Sequence, residues 1–176
     1  LPCLLIPVAN FPFSALISGA AAVNRLDLLW LFIIKCLLIG FVEEILFRGI
    51  VIDFIEETLK AKKHRVLLTV LISAAVFGLF HIINLLDGAA PAAVLLQAGY
   101  SFLIGCMLGA VYLKTRNIWG CILLHALFDI GGLMISDIGA GSPQDTLFWV
   151  LTAVCGVIVT VHVTYAVLTA DKQNVN

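Results

Sequence analysis

Long apolar runs alternate with short polar turns along the whole chain, and the runs have helical rather than strand length. The pattern predicts six membrane segments. The first, residues 1–22, carries Pro2, Pro7 and Pro12 and is expected to be kinked or partly re-entrant. A turn at Asn24-Arg25-Leu26-Asp27 follows, with Asp27 placed to cap the next helix. The second segment, residues 28–59, would be about 48 Å long against roughly 30 Å of hydrocarbon, so its polar end from Asp53 should reach water. Beyond the basic loop 60–65 lie segments at 66–86, 92–113, 118–135 and 146–168. Polar turns carrying Asp87-Gly88, Lys114 to Asn117, and Gly139, Gly141 and Pro143 separate them. A helical hairpin projecting beyond the membrane is expected near residues 53–68. Ser101, Gly105 and Gly109 form a small-residue stripe suited to close helix packing.

Composition agrees with this pattern. The chain is 62% hydrophobic and 12% charged, with a mean hydropathy of +1.12. A soluble domain is nearer half apolar and about a quarter charged. The fold class is therefore all-α, a polytopic integral membrane helical bundle of about six membrane segments. With no repeats or linkers, residues 1–176 read as one domain. The chain opens at Leu1 without a basic signal-peptide region, and we read it as a fragment lacking one or more upstream helices. The net charge of −1 and the lack of a basic, aromatic-rich patch exclude a nucleic-acid partner. The five cysteines show no CxxC spacing and read as small core hydrophobes.

The loops also orient the chain. Lys60, Lys62, Lys63, Arg65, Lys114, Arg116 and Lys172 fall on one side, whereas the opposite loops hold Arg25 with Asp27, Asp87, Asp137 and Asp145. The positive-inside rule makes loops 60–65 and 114–117 and the C-terminus cytoplasmic.

Ionisable and polar residues inside the apolar runs carry the chemistry, because charge at that depth is costly and marks function. Glu43, Glu44 and Arg48 lie in the second segment, His81 and Asn84 in the third, and His125 and Asp129 in the fifth. Glu44 and Arg48 are four apart and are expected to pair. Glu43 sits about 100° round the helix and is left to meet a group on another helix. Lys35, two turns earlier, is expected to snorkel outward. Gln97 and Tyr100 are candidates for a cleft lining, and His162 stands alone. A carboxylate and an imidazole from different helices suit activation of water, and amide hydrolysis also needs a donor for the oxyanion. His125 is placed to donate, with Asp129, one turn on, orienting its ring.

Glu43-Glu44-xxx-Arg48, Phe77-xxx-His81 and His125-xxx-Asp129, in this order and each on an apolar helix, resemble the three motifs of the CAAX protease and bacteriocin-processing family. This is also called the ABI family, or type II CAAX prenyl endopeptidases: glutamic-type intramembrane proteases. The resemblance covers residues 28–134. It implies an all-helical endopeptidase, whose eukaryotic members remove the last three residues after a prenylated cysteine. On the matching positions, Glu43 and His81 would activate water, and His125 and Asp129 would form the oxyanion side. Glu44, Arg48, Phe77 and Asn84 would support the site. Prenyl-protease members often carry Asn where this chain has Asp129. An ionised aspartate cannot donate, so its role shifts toward orienting His125.

No cofactor is expected, because the resemblance implies glutamate-activated water and no HExxH occurs. Zinc is the alternative, with Glu43, His81 and His125 as three ligands and an open fourth position. The expected partners are membrane lipid and a peptide or membrane-protein substrate; the oligomeric state is not legible. The expected location is a bacterial cell membrane, multi-pass. Two functions compete with peptide hydrolysis. One is a non-enzymatic immunity or regulatory protein, as in bacteriocin self-protection. The other is a proton-coupled carrier, against which the lack of inverted repeats counts.

Overall fold

Proline has no backbone N–H and clashes with the preceding turn, so the first apolar run cannot make one long helix. The computed structural model, which describes residues 2–173, shows a 3₁₀ turn at Pro2–Leu4 followed by α1 (Leu5–Ala9) and α2 (Phe13–Ser18). Gly19, at φ +76°, ends α2 in the left-handed conformation that only glycine adopts without strain. Asp27 does not cap the next helix. It lies inside a 3₁₀ turn, Leu26–Leu28, and its carboxylate instead holds Arg25 at 2.9 and 3.0 Å.

The expected 28–59 segment is three consecutive pieces. These are α3 (Leu29–Glu44), a π-helical stretch Ile45–Val51, and α4 (Ile52–Leu59). Alternation of apolar and polar positions does not distinguish a π stretch from an α-helix, so the sequence gives no sign of it. After a turn the chain continues as α5 (Arg65–Phe80), a 3₁₀ turn His81–Leu85, α6 (Pro91–Thr115), α7 (Ile118–Ile138) and α8 (Thr146–Gln173). Pro91 opens α6 at a position where its missing N–H has no helical partner to lose.

The fold class is all-α and that of a polytopic membrane protein. Among the described residues, four helical segments are long and apolar enough to cross a membrane: Arg65–Leu85, Pro91–Thr115, Ile118–Ile138 and Thr146–Lys172. The two further segments expected from the sequence are present as the shorter pieces just described. A strand pair was not anticipated. β1 (Ala21–Val23) and β2 (Gly139–Gly141) run antiparallel, with Ala21 opposite Gly141 and Val23 opposite Gly139.

The chain divides into two compact units. The first comprises the chain up to Val42 with Trp119–His162. Its core gathers Ala15, Ala21, Phe32, Cys36, Met134, Ile135 and Ile138 from α2, β1, α3 and α7. Small residues let the backbones approach. A Cβ on Gly40 of α3 would stand 3.0 Å from the Ile122 carbonyl oxygen of α7, and one on Gly131 would stand 2.9 Å from the Asn10 carbonyl oxygen. Asn10 Nδ2 donates to the Phe128 carbonyl at 2.8 Å. The backbone N–H groups of Asn24 and Arg25 both donate to the Ile138 carbonyl at 3.0 Å, beside the strand pair. Lys35 does not snorkel alone: its ammonium donates to Asp137 at 2.6 Å. α7 runs to Ile138, past the boundary expected at residue 135, and this carries Asp137 onto a helix rather than a loop.

The second unit comprises Glu43–Ile118 with the chain from Val163 onward. Here α4 turns back into α5, which packs along α6. Part of the small-residue stripe makes this possible. A Cβ on Gly105 would lie 3.0 Å from the Ala74 Cα, and one on Gly78 would lie 2.7 Å from the Ala98 carbonyl oxygen. His64, before α5, provides no side-chain cap. Asp171 of α8 supplies one, accepting from the N–H groups of Val66 at 2.9 Å and Leu67 at 3.1 Å.

Candidate active site

The Glu44–Arg48 pair forms as its spacing predicts. Arg48 Nη1 donates to Glu44 Oε1 at 2.8 Å, and both side chains are almost wholly excluded from the surface, at 1% and 0% exposure. Two opposite charges are tolerated there because each neutralises the other. The guanidinium carbon of Arg48 also lies 4.6 Å from the centre of the Phe77 ring, a cation–π contact. Phe77 is buried and meets Phe47 edge-on with ring centres 4.9 Å apart. The buried charge pair is thus fixed against α5 by an aromatic ring.

The same phenylalanine positions His81. Its ring meets the imidazole edge-on at 5.0 Å, and its backbone oxygen lies 2.9 Å from His81 Nδ1. The local backbone explains this bond. In an α-helix the His81 N–H would donate to the Phe77 carbonyl. Here α5 tightens into the 3₁₀ turn, and the His81 N–H turns to the carbonyls of Gly78 and Leu79. The Phe77 carbonyl then accepts from the imidazole. A carbonyl can only accept, so Nδ1 carries the proton and Nε2 is the basic nitrogen. Asn84, one 3₁₀ turn on, donates from Nδ2 to Gln97 Oε1 of α6 at 2.8 Å. This bond ties the histidine-bearing turn to its neighbouring helix. Gln97 is therefore occupied as a partner of Asn84, a role its position in the sequence did not reveal. Glu43 is half-buried in the last turn of α3.

His125 and Asp129 belong to the first unit. His125 is buried in α7, and the close approach at Gly40 brings α3 backbone against α7 at this turn. Its Nε2 lies 3.7 Å from Asp129 Oδ2, a charge contact longer than a hydrogen bond. Among the described residues, no three His, Cys, Asp or Glu side chains group closely enough to hold a metal ion.

Residues 25–131 match the family model described as type II CAAX prenyl endopeptidase, Rce1-like. The chain belongs to that family. No curated protein and no solved structure matches the chain. The family stretch runs from Arg25 through α3, the π-helical stretch, α4, α5 and α6 into α7. It includes Glu43, Glu44, Arg48, Phe77, His81, Asn84, His125 and Asp129, and leaves α1, α2 and α8 outside. Membership implies a hydrolase of the CAAX-protease type. The motif glutamates sit at the junction of α3 and the π-helical stretch. Such stretches occur mostly as insertions in α-helices and are frequent at functional sites.

Proposed function

We propose that this multi-pass membrane protein is an intramembrane endopeptidase. It would hydrolyse a peptide bond in a membrane-associated or lipidated peptide or protein. Glu43 accepts a proton from a water molecule that His81 Nε2 orients, and the resulting hydroxide attacks the amide carbon. A ring N–H of His125 stabilises the oxyanion, with the charge of Asp129 favouring the orientation and polarity this requires. As the C–N bond breaks, the proton held by Glu43 passes to the leaving amine. Glu44, Arg48, Phe77 and Asn84 hold the backbone and rings that carry these groups.

The observation that carries this reading is the hydrogen bond between His81 Nδ1 and the Phe77 carbonyl at 2.9 Å. It favours a proton on Nδ1, which would leave Nε2 to accept from water, on a residue that lies in the family stretch. The asymmetry of basic loops supports a topology with loops 60–65 and 114–117 and the C-terminus in the cytoplasm. The experiment is a comparison of membrane peptidomes from cells carrying the parental chain or Glu43→Gln. The reading requires peptides present only with the parental chain, and identical peptidomes reject it.

A further inference from the structure

Away from the motif residues, the start of α3 and the end of α7 in the first unit enclose an open groove of about 410 Å³. Leu28, Leu31, Phe32 and Ile138 make its apolar wall, and Lys35 and Asp137 lie along it. Phe32 and Ile138 are buried at 3% exposure each, whereas Leu31 is open at 45%. β1 pairs with β2 immediately beside the groove, and the backbone N–H groups of Asn24 and Arg25 both donate to the Ile138 carbonyl. The volume lies within the range of ligand pockets, about 300–1,000 Å³.

An apolar groove in a membrane protein takes an acyl chain without selecting it. The ion pair adds selection. Lys35 and Asp137 meet at 2.6 Å yet keep 52% and 25% of their side-chain surface open. An ammonium has three N–H donors, and Asp137 takes one of Lys35's, which leaves two for a ligand. Asp137 Oδ1 receives the Ser136 hydroxyl at only 3.4 Å, which leaves it strong accepting capacity. The pair is neutral overall but strongly dipolar. Its complement is a headgroup that is also neutral and dipolar, with a phosphate for Lys35 and an N–H-bearing cation for Asp137. An anionic headgroup would add negative charge beside Asp137 with nothing to offset it. A quaternary ammonium would offer that carboxylate no donor.

We propose that this groove binds a phospholipid with a phosphoethanolamine headgroup, its phosphate on Lys35 and its primary ammonium on Asp137. The site is independent of the peptidase reading, since none of the motif residues lines it.

Native mass spectrometry of the full chain in detergent tests it. Phosphatidylethanolamine, phosphatidylcholine and phosphatidylglycerol with the same acyl chains are each titrated in. The first phosphatidylethanolamine adduct should form about tenfold more tightly than the other two. Lys35→Met and Asp137→Asn should each remove that preference. Leu31→Trp, at an exposed position that leaves the ion pair intact, should fill the groove and remove it as well. That variant keeps the test valid if either charge variant fails to fold. Equal binding of the three lipids to the parental chain would overturn the proposal. So would a preference that survives Leu31→Trp, or efficient disulfide cross-linking between copies through Leu31→Cys, which would make the groove a protein interface.

Discussion

Asp171, near the end of α8, accepts a hydrogen bond from the backbone N–H of Val66 at 2.9 Å and so caps α5 from over a hundred residues away. A second bond, from Leu67 at 3.1 Å, satisfies another donor of the same first turn. Asp171 is 3% exposed, so the cap meets the positive end of the helix with little solvent screening. Asp171→Ala should lower stability by about 1–2 kcal/mol, and Asp171→Asn by less. Thermal unfolding in detergent reads both. An unchanged midpoint for the alanine variant would show that water replaces the cap.

Removing one partner of a buried ion pair leaves the other charge uncompensated. Arg48→Met and Glu44→Gln should therefore each destabilise the fold by about 3–5 kcal/mol. The double variant should be more stable than either single one, because no lone charge remains. Chemical or thermal denaturation of the three proteins supplies the comparison. Destabilisation that is simply additive would mean that the two side chains act separately.

Glu43→Gln removes the proposed proton acceptor while keeping side-chain size, and His81→Ala removes the imidazole that the Phe77 carbonyl holds. Either change should reduce cleavage of a peptide identified from the peptidome by about 10²-fold or more. The unfolding midpoint of Glu43→Gln should stay within about a degree of the parental value, as expected for a loss of chemistry alone. Parental turnover in both variants would leave the proposed water activation without its two central groups.

Asp145 lies in the loop before α8 and accepts from the Phe148 backbone N–H at 2.8 Å and from the Ser14 hydroxyl at 2.9 Å. These bonds, the backbone one foremost, hold its carboxyl below its ordinary value of 3.8. A depressed native value means that the carboxylate's contribution is fully present above the unfolded value. It is lost as pH falls from there through the native value. Asp145→Asn should therefore melt lower than the parental chain at pH 6, and the gap should close as pH drops below about 4. A gap independent of pH would assign the effect to packing.

A methyl group on Gly78 would collide with the Ala98 carbonyl of α6, 2.7 Å from the ideal Cβ position. Backbone cannot yield as a flexible side chain does, so α5 and α6 would have to part just before the turn that bears His81. Gly78→Ala should cost about 1–3 kcal/mol. It should also reduce cleavage more than Gly99→Ala, where the added methyl meets only open space. Equal effects at the two glycines would deny the close crossing.

Much of this was legible in residue order because the physics is local. Glu44 and Arg48 pair since four residues bring side chains onto one helical face, and hydrophobic run length fixes the long helices. The membership over residues 25–131 agrees with three short motifs on apolar helices. Other features depend on partners far along the chain and leave no local signal. The Lys35–Asp137 pair spans α3 and α7, and Asp137 reads as a loop residue until α7 is seen to continue to Ile138. Asn84 and Gln97 find each other across a turn whose course spacing does not specify. The π-helical stretch and the 3₁₀ turn at His81 are matters of backbone hydrogen bonding, invisible to apolar periodicity.

The pairing of β1 with β2 has a consequence for biogenesis. Ala21 cannot meet Gly141 until the ribosome has delivered everything between them, on the order of ten seconds of translation. The strand pair must wait, while Glu43–Ile118, the greater part of the second unit, emerges as one uninterrupted length ahead of the stretch from Val163 that completes it. Arrest of synthesis before residue 139 would leave the opening segments without their strand partner and exposed to quality-control proteolysis.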